Sequence, residues 1–199
     1  MWNLAAWQDE PALSRAWHAA QPFPHVVIED FVTAAALPAL FEILDEEPVE
    51  HSVGDIFSFD ATAPAPITAA FRELGASFGA TLAPPLSRIT GKAVRRAELR
   101  AYAYRPGHYL LPHSDHQDGL ARVLAFAYYL PSPEPPLGGE LELFRCSMTG
   151  AEITAVASAT VLEPAANRMV IFDVSDVSLH QVREVLGGLR ISLAGWFYA

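Results

Sequence analysis

From Glu98 to Tyr198 the chain is built of short runs rich in β-branched and aromatic residues with no helical stripe between them, and this limits the fold more than any other feature. The runs fall at 98–105, 109–114, 122–130, 139–145, 152–162, 168–173, 178–184 and 190–198. Turn-forming stretches separate them: Arg105-Pro106-Gly107, Asp118-Gly119, Pro131 to Gly139, Ala165-Ala166-Asn167 and Gly187-Gly188. Successive strands without intervening helices indicate a jelly roll or a related sandwich, with the strand pairing left open.

The first 97 residues read differently. Residues 11–20 have helical patterning, and Phe23 to Asp30 reads as a strand. Thr33 is placed to cap a helix that tolerates Pro38 in its first turn and buries Leu37, Leu40, Phe41 and Leu44. A further helix over 66–82 presents Ile67, Phe71, Leu74, Phe78 and Leu82 on one stripe. The expected organisation is one domain over 1–199, mainly β with supporting helices: 1–97 a helix-rich support, 98–199 the jelly-roll core.

Composition narrows the function. A net charge of −10 argues against a nucleic-acid partner, which needs a basic footprint. The cluster Arg88, Lys92, Arg95, Arg96 and Arg100 reads as a solvated face. The sole cysteine, Cys146, excludes an internal disulfide and suits a reducing cytoplasm. No apolar run is long enough to span a bilayer, so no membrane partner is expected, and the N-terminus lacks the pattern of a signal peptide.

Chemistry concentrates in the strand-rich half. If His113 and Asp115 lie on one strand, positions i and i+2 face the same side, and Ser114 faces away. With His180 they make two imidazoles and one carboxylate, a set that favours Fe(II), Mn(II), Co(II) or Zn(II) and leaves coordination positions open. His116 falls on the opposite face. His18, His25, His51 and His108 show no partner spacing and read as surface or packing residues. Arg190, Ser192, Ala194 and Trp196 alternate along the last strand. Arg190 is suited to a two-pronged salt bridge with a small diacid, and Ser192 to an added hydrogen bond. In the strand 122–130, Val123, Ala125, Ala127 and Tyr129 share a face whose alanines leave room for that diacid. Leu124, Phe126, Tyr128 and Leu130 form the bulky core face. Arg122 and Trp196 are candidate substrate contacts; a salt bridge from Arg122 to a loop acid is an equal alternative. Segments 52–66 and 116–121 are candidate lids, with Asp55–Asp60 either lid or edge strand.

These residues carry a resemblance. Tyr104, Gly107, His113 and Asp115, the Tyr128-Tyr129-Leu130 strand, Gly138-Gly139-Glu140, and the run from His180 through Arg190 and Ser192 to Gly195-Trp196 resemble the Fe(II)- and 2-oxoglutarate-dependent dioxygenases, in particular their prolyl 4-hydroxylase-like group. The opening Pro22 to Phe31 is similar as well. Leu110 departs from the pattern where the group places an aromatic residue. The resemblance implies a double-stranded β-helix (jelly roll, cupin-like) with helices packed on one face. It implies His113, Asp115 and His180 as iron ligands and Arg190 as the anchor for 2-oxoglutarate, with Tyr104, Tyr129 and Ser192 assisting. It further implies a C–H hydroxylase using Fe(II), 2-oxoglutarate and O2, with a peptidyl proline as the first-choice substrate. Alternatives are hydroxylation of a free amino acid or other small metabolite, and a non-catalytic jelly-roll binding module. Oligomeric state is left open.

Overall fold

The computed structural model describes the backbone of residues 1–199 and every side chain but that of Ala6. Its helices are α1 (Glu10–Ala19), α2 (Leu37–Glu46) and α3 (Ala69–Thr90). Its strands are β1 (His25–Ile28), β2 (Val49–Gly54), β3 (Phe57–Thr62), β4 (Arg96–Tyr104), β5 (Tyr109–His113), β6 (Arg122–Tyr129), β7 (Leu137–Gly138), β8 (Leu141–Thr149), β9 (Glu152–Leu162), β10 (Met169–Asp173), β11 (His180–Val182), β12 (Val185–Gly187) and β13 (Arg190–Tyr198).

One curled sheet runs β1-β10-β6-β13-β4-β3-β5-β11-β8-β9, with β2 on the flank of β3, and its pairings are antiparallel. Strand β3 makes the curl. Its Asp60 and Ala61 pair with β4, while Phe57 and Ser58 pair with β5. The broad layer β1-β10-β6-β13-β4 thereby faces the narrower layer β5-β11-β8-β9. The helices cover the outer side of the broad layer. Phe71, Leu74, Phe78, Leu82, Leu86 and Ile89 of α3 pack with Leu99, Leu124, Phe126, Tyr128, Leu193 and Phe197. A second apolar cluster, including Ala125, Ala127, Tyr129, Leu141, Leu143, Val170 and Phe172, lies between the layers. Helices on one face and a curled antiparallel jelly roll are thus both present.

Several boundaries differ from the sequence reading, for physical reasons. Helix α3 does not stop at Leu82 but runs through Pro84 and Pro85 to Thr90, where Gly91 turns the chain at φ +72°. Pro84 and Pro85 each cost about 3 kcal/mol in a helix interior. Burying Leu86 and Ile89, both essentially inaccessible, returns roughly 1.5–3 kcal/mol each, and the buried Pro85 adds to this, so packing offsets a cost of the same size. Thr33 precedes a short 3-10 turn, Ala34–Ala36, and its side chain makes no capping bond; Thr68 caps α3 by accepting from the Phe71 amide. Asp55–Asp60 is neither lid nor edge, because β3 is flanked by β2 on one side and by β4 and β5 on the other. Segment 52–66 is therefore mostly a hairpin built into the sheet, and residues 1–97 supply β1, β2 and β3 as well as helices. The run 178–184 ends at Val182 as β11. The following β12 pairs in a separate ribbon with β7, which lies inside the Pro131 to Gly139 segment read from sequence as turn.

Candidate active site

Strand β5 ends at His113, and β11 begins at His180; the two are direct cross-strand partners. Their rings lie 4.3 Å apart between centroids. Asp115, just past the end of β5, reaches both: its carboxylate is 3.9 Å from His113 Nε2 and 3.4 Å from His180 Nε2. One candidate ligand atom from each residue lies within 4.8 Å of the others. Ser114 points away, as alternation demands, and donates to the Ser175 carbonyl at 2.8 Å, fixing the strand end to the loop before β11.

The protonation pattern follows from the partners. His113 Nδ1 lies 2.9 Å from the Leu111 carbonyl and His180 Nδ1 lies 3.0 Å from the Ser178 carbonyl. A carbonyl only accepts, so each Nδ1 carries the proton and each Nε2 offers a lone pair. Burial holds His180 neutral, well below the ordinary histidine range; His113 adds to this, while Asp115 and the Ser178 carbonyl oppose it. Two lone pairs facing a carboxylate repel unless a cation sits between them. The donor set and its orientation fit a divalent metal. His116 stands apart, beside Asp118 at 3.5 Å and Asp176 at 3.3 Å.

The cluster opens into a cavity of about 360 Å³ between the sheet layers, within the usual size range of small-molecule sites. Arg190 stands in its wall, 3% exposed, at the start of β13. Its guanidinium lies 4.7 Å from the centre of the Tyr104 ring and 4.9 Å from that of Tyr129, and donates to Ser192 Oγ at 3.1 Å. No acidic side chain pairs with it among the described residues. Arg190 Nε and the Tyr129 hydroxyl are buried without a hydrogen-bond partner. Burial raises the Tyr104 and Tyr129 hydroxyls above the usual tyrosine range against the pull of Arg190, so both remain neutral and able to donate. A buried cation and a buried hydroxyl without acceptors suit a ligand that brings a carboxylate. Gly139, at φ +73°, makes room for Arg190. A Cβ there would stand 2.9 Å from both Arg190 Cδ and Val185 Cγ2.

The two faces of β6 separate as expected, with one exception. Ala125 and Ala127 line the cavity, and Tyr129 belongs to the same inter-layer cluster; Leu124, Phe126 and Tyr128 join the helix-facing core, with Phe126 also bordering the cavity between the two alanines. Val123 also packs against that helix-facing core, so it leaves the pocket face. The β6–β13 register slips between the Phe197–Leu124 and Tyr198–Arg122 pairs, leaving Val123 unpaired, and such a bulge breaks alternation. Among the described residues Arg122 makes no bridge to a loop acid. It donates to the Asp115 carbonyl at 3.3 Å and lies 3.6 Å over the Trp196 ring, and Trp196 lines the cavity.

Sequence reasoning missed Phe57, Phe59, Arg100 and Tyr102, which complete the wall. Their signal was strand alternation: 57 and 59 on β3, and 100, 102 and 104 on β4. Arg100 is therefore no part of a solvated basic face. Its Nε donates to the Thr62 carbonyl at 2.7 Å, while Arg88 pairs with Glu10 and Lys92 with Asp173.

The sequence signature of the 2OG-Fe(II) oxygenase superfamily matches residues 99–198, half of the chain. The chain belongs to the 2OG-Fe(II) oxygenase superfamily. Fe(II), 2-oxoglutarate and O2 are accordingly the cofactor and co-substrates of this oxygenase. It is 32% identical over 188 residues to prolyl 3-hydroxylase OGFOD1 of Mus musculus, a match covering 89% of this chain and 33% of the mouse protein. The chain thus spans about a third of the length of the curated relatives it matches. In fold it is similar to a Pseudomonas putida prolyl-4-hydroxylase, with TM-score 0.68 and 21% identity over 94% of this chain and 98% of that one. It is likewise similar to a Trichoplax adhaerens prolyl hydroxylase solved with a hypoxia inducible factor peptide fragment. There the TM-score is 0.68 and the identity 17%, over 98% of this chain and 93% of that one.

Proposed function

We propose that this oxygenase hydroxylates prolyl residues in a peptide or protein, with iron held by His113, Asp115 and His180 and 2-oxoglutarate anchored by Arg190. The observation that carries the reading is the buried, acid-free guanidinium of Arg190, on the wall of the cavity that the triad also lines. When bound, the iron and 2-oxoglutarate convert O2 and a substrate C–H bond to C–OH, with release of succinate and CO2.

The protein's own residues supply position and dryness. Arg190 binds the distal carboxylate with its fork of donors, and the Tyr129 hydroxyl, neutral and unpartnered, donates to the same group. Ser192 holds the guanidinium in place, and Tyr104 covers it with a ring face. Ala125 and Ala127 leave space for the carbon chain. Phe57, Phe59, Leu110, Phe172 and Val182 exclude water. Arg122 fixes the Asp115 backbone and the Trp196 ring, which makes Trp196 a candidate substrate contact at the cavity rim.

A peptide substrate is supported by a cavity that is not closed off from solvent and by the prolyl hydroxylase names of its relatives. A reducing cytoplasm suits the single unpaired Cys146, and no helix is long and apolar enough to cross a membrane. The test is a 2-oxoglutarate turnover screen over proline-containing peptides and free amino acids, read by mass spectrometry. A gain of one oxygen on a peptidyl proline, lost in His180→Ala, is expected. Oxygen gained only by free amino acids would refute the peptide substrate.

A further inference from the structure

A second group of metal-type donors lies outside the cavity. His51 on β2 stands opposite Asp60 on β3, with its Nδ1 2.9 Å from Asp60 Oδ1. His108, in the turn between β4 and β5, brings its ring 5.1 Å from that of His51. One ligand-capable atom from each of the three lies within 4.8 Å of the others, and none of the three lines the active-site cavity. The His108 Nδ1 is buried and has no hydrogen-bond partner. Such an orphaned ring nitrogen in a folded protein calls for an acceptor, a donor or a metal.

The surroundings are built rather than accidental. Arg105 Nε holds the other carboxylate oxygen of Asp60 at 3.0 Å, orienting it as a partner behind a ligand does. The His108 amide donates to the Arg105 carbonyl, and the His108 carbonyl accepts from the Val185 amide, so the backbone carrying the ring is pinned on both sides. Burial would raise the Asp60 carboxyl, but hydrogen bonds from His51 and Arg105 and the proximity of His108 outweigh it and keep the group ionised. The His51 side chain is 52% exposed, which leaves a path for an ion and water.

We propose that His51, Asp60 and His108 form a second divalent-cation site, of the Zn(II) class, on the outer side of β3. Two imidazoles, one carboxylate and an open solvent position match the borderline donors and low coordination number that Zn(II) accepts. The ion replaces the proton shared between His51 and Asp60 and gives His108 Nδ1 or Nε2 a partner. It ties the β2–β3 hairpin, whose Phe57 and Phe59 line the cavity, to the turn that joins Tyr104 to the strand of His113. The site acts on the cavity wall and takes no part in the chemistry of the triad.

The test is Zn(II) stoichiometry by equilibrium dialysis of the iron-free chain, with Co(II) absorption as a report on ligand geometry. Wild type is expected to take two Zn(II) per chain, and His51→Ala and His108→Ala one each. The triple variant His113→Ala, Asp115→Ala, His180→Ala should keep one. Arg105→Gln, which leaves all three ligands in place, should weaken the second site by roughly 10- to 100-fold. Because His51 is exposed, its replacement does not threaten the fold, and an unchanged circular dichroism spectrum checks this. A single Zn(II) per wild-type chain that survives His51→Ala and His108→Ala would overturn the proposal. So would two ions unaffected by both substitutions.

Discussion

Arg190→Met keeps most of the apolar length of the side chain and removes its charge and its donors, including the bond to Ser192, so it separates a ligand anchor from a structural residue. In the free protein the guanidinium has no acidic partner and its Nε makes no hydrogen bond. Its desolvation costs several kcal/mol. The contacts over Tyr104 and Tyr129 return roughly 0.5–2 kcal/mol each. The free variant should therefore be as stable as wild type to within about 2 kcal/mol. Binding should suffer far more. Losing a buried charged partner costs on the order of 2–5 kcal/mol, a weakening of roughly thirty-fold to several thousand-fold. Wild type at a 2-oxoglutarate concentration of ~100 Kd is stabilised by about 2.7 kcal/mol, and the variant at that concentration by less than about 1 kcal/mol. Denaturant unfolding with and without 2-oxoglutarate, under anaerobic conditions with metal present, measures both quantities. Equal stabilisation of the two proteins by 2-oxoglutarate would refute the anchor. So would a free variant that loses stability like a core cavity mutant.

Four further outcomes follow from the packing and charges. Ala127→Leu fills the inter-layer space and should lose 2-oxoglutarate binding while staying folded. Phe126→Ala empties a site packed on Phe78 at 4.7 Å and Phe197 at 5.2 Å, and should cost about 3–5 kcal/mol in denaturant unfolding with little effect on affinity in the folded protein. Gly139→Ala forces a φ of +73° on an alanine and pushes on Arg190, so a calorimetric titration should show weaker 2-oxoglutarate binding with metal affinity intact. Glu142 is held down to about 2, chiefly by the Arg183 hydrogen bond with help from Gln181 and against burial. A depressed folded-state pKa stabilises above the ordinary carboxyl value of 4.5 and is lost as pH falls towards 2. With half-exposed Arg183 screening part of the effect, Glu142→Gln should cost roughly 1–2 kcal/mol at pH 7, and the difference should vanish near pH 2 in pH-dependent unfolding curves.

The strand run after Glu98 was legible because both ends of most strands carry turn chemistry and their interiors alternate. The pocket side of β6 and β13 was legible for the same reason: Ala125, Ala127, Arg190 and Ser192 keep strict alternation. Val123 was not, because a bulge leaves no mark in a single sequence. The end of α3 was misread because Pro84 and Pro85 carry a strong local stop signal that burial of Leu86 and Ile89 overrides. The place of β3 was hidden because its role depends on pairing with β4 and β5, which are remote in sequence. The same long-range pairing brings His51 beside His108, residues that show no useful spacing along the chain.

The most direct measurement is an anaerobic titration of the purified chain with Fe(II) and then 2-oxoglutarate, followed by visible absorption. A weak band arising as the oxo-acid chelates the iron is expected in wild type. It should be absent in His180→Ala, and in Arg190→Met it should require far more 2-oxoglutarate. An equal band in all three proteins would contradict the assignment of iron to His113, Asp115 and His180 and of the co-substrate to Arg190.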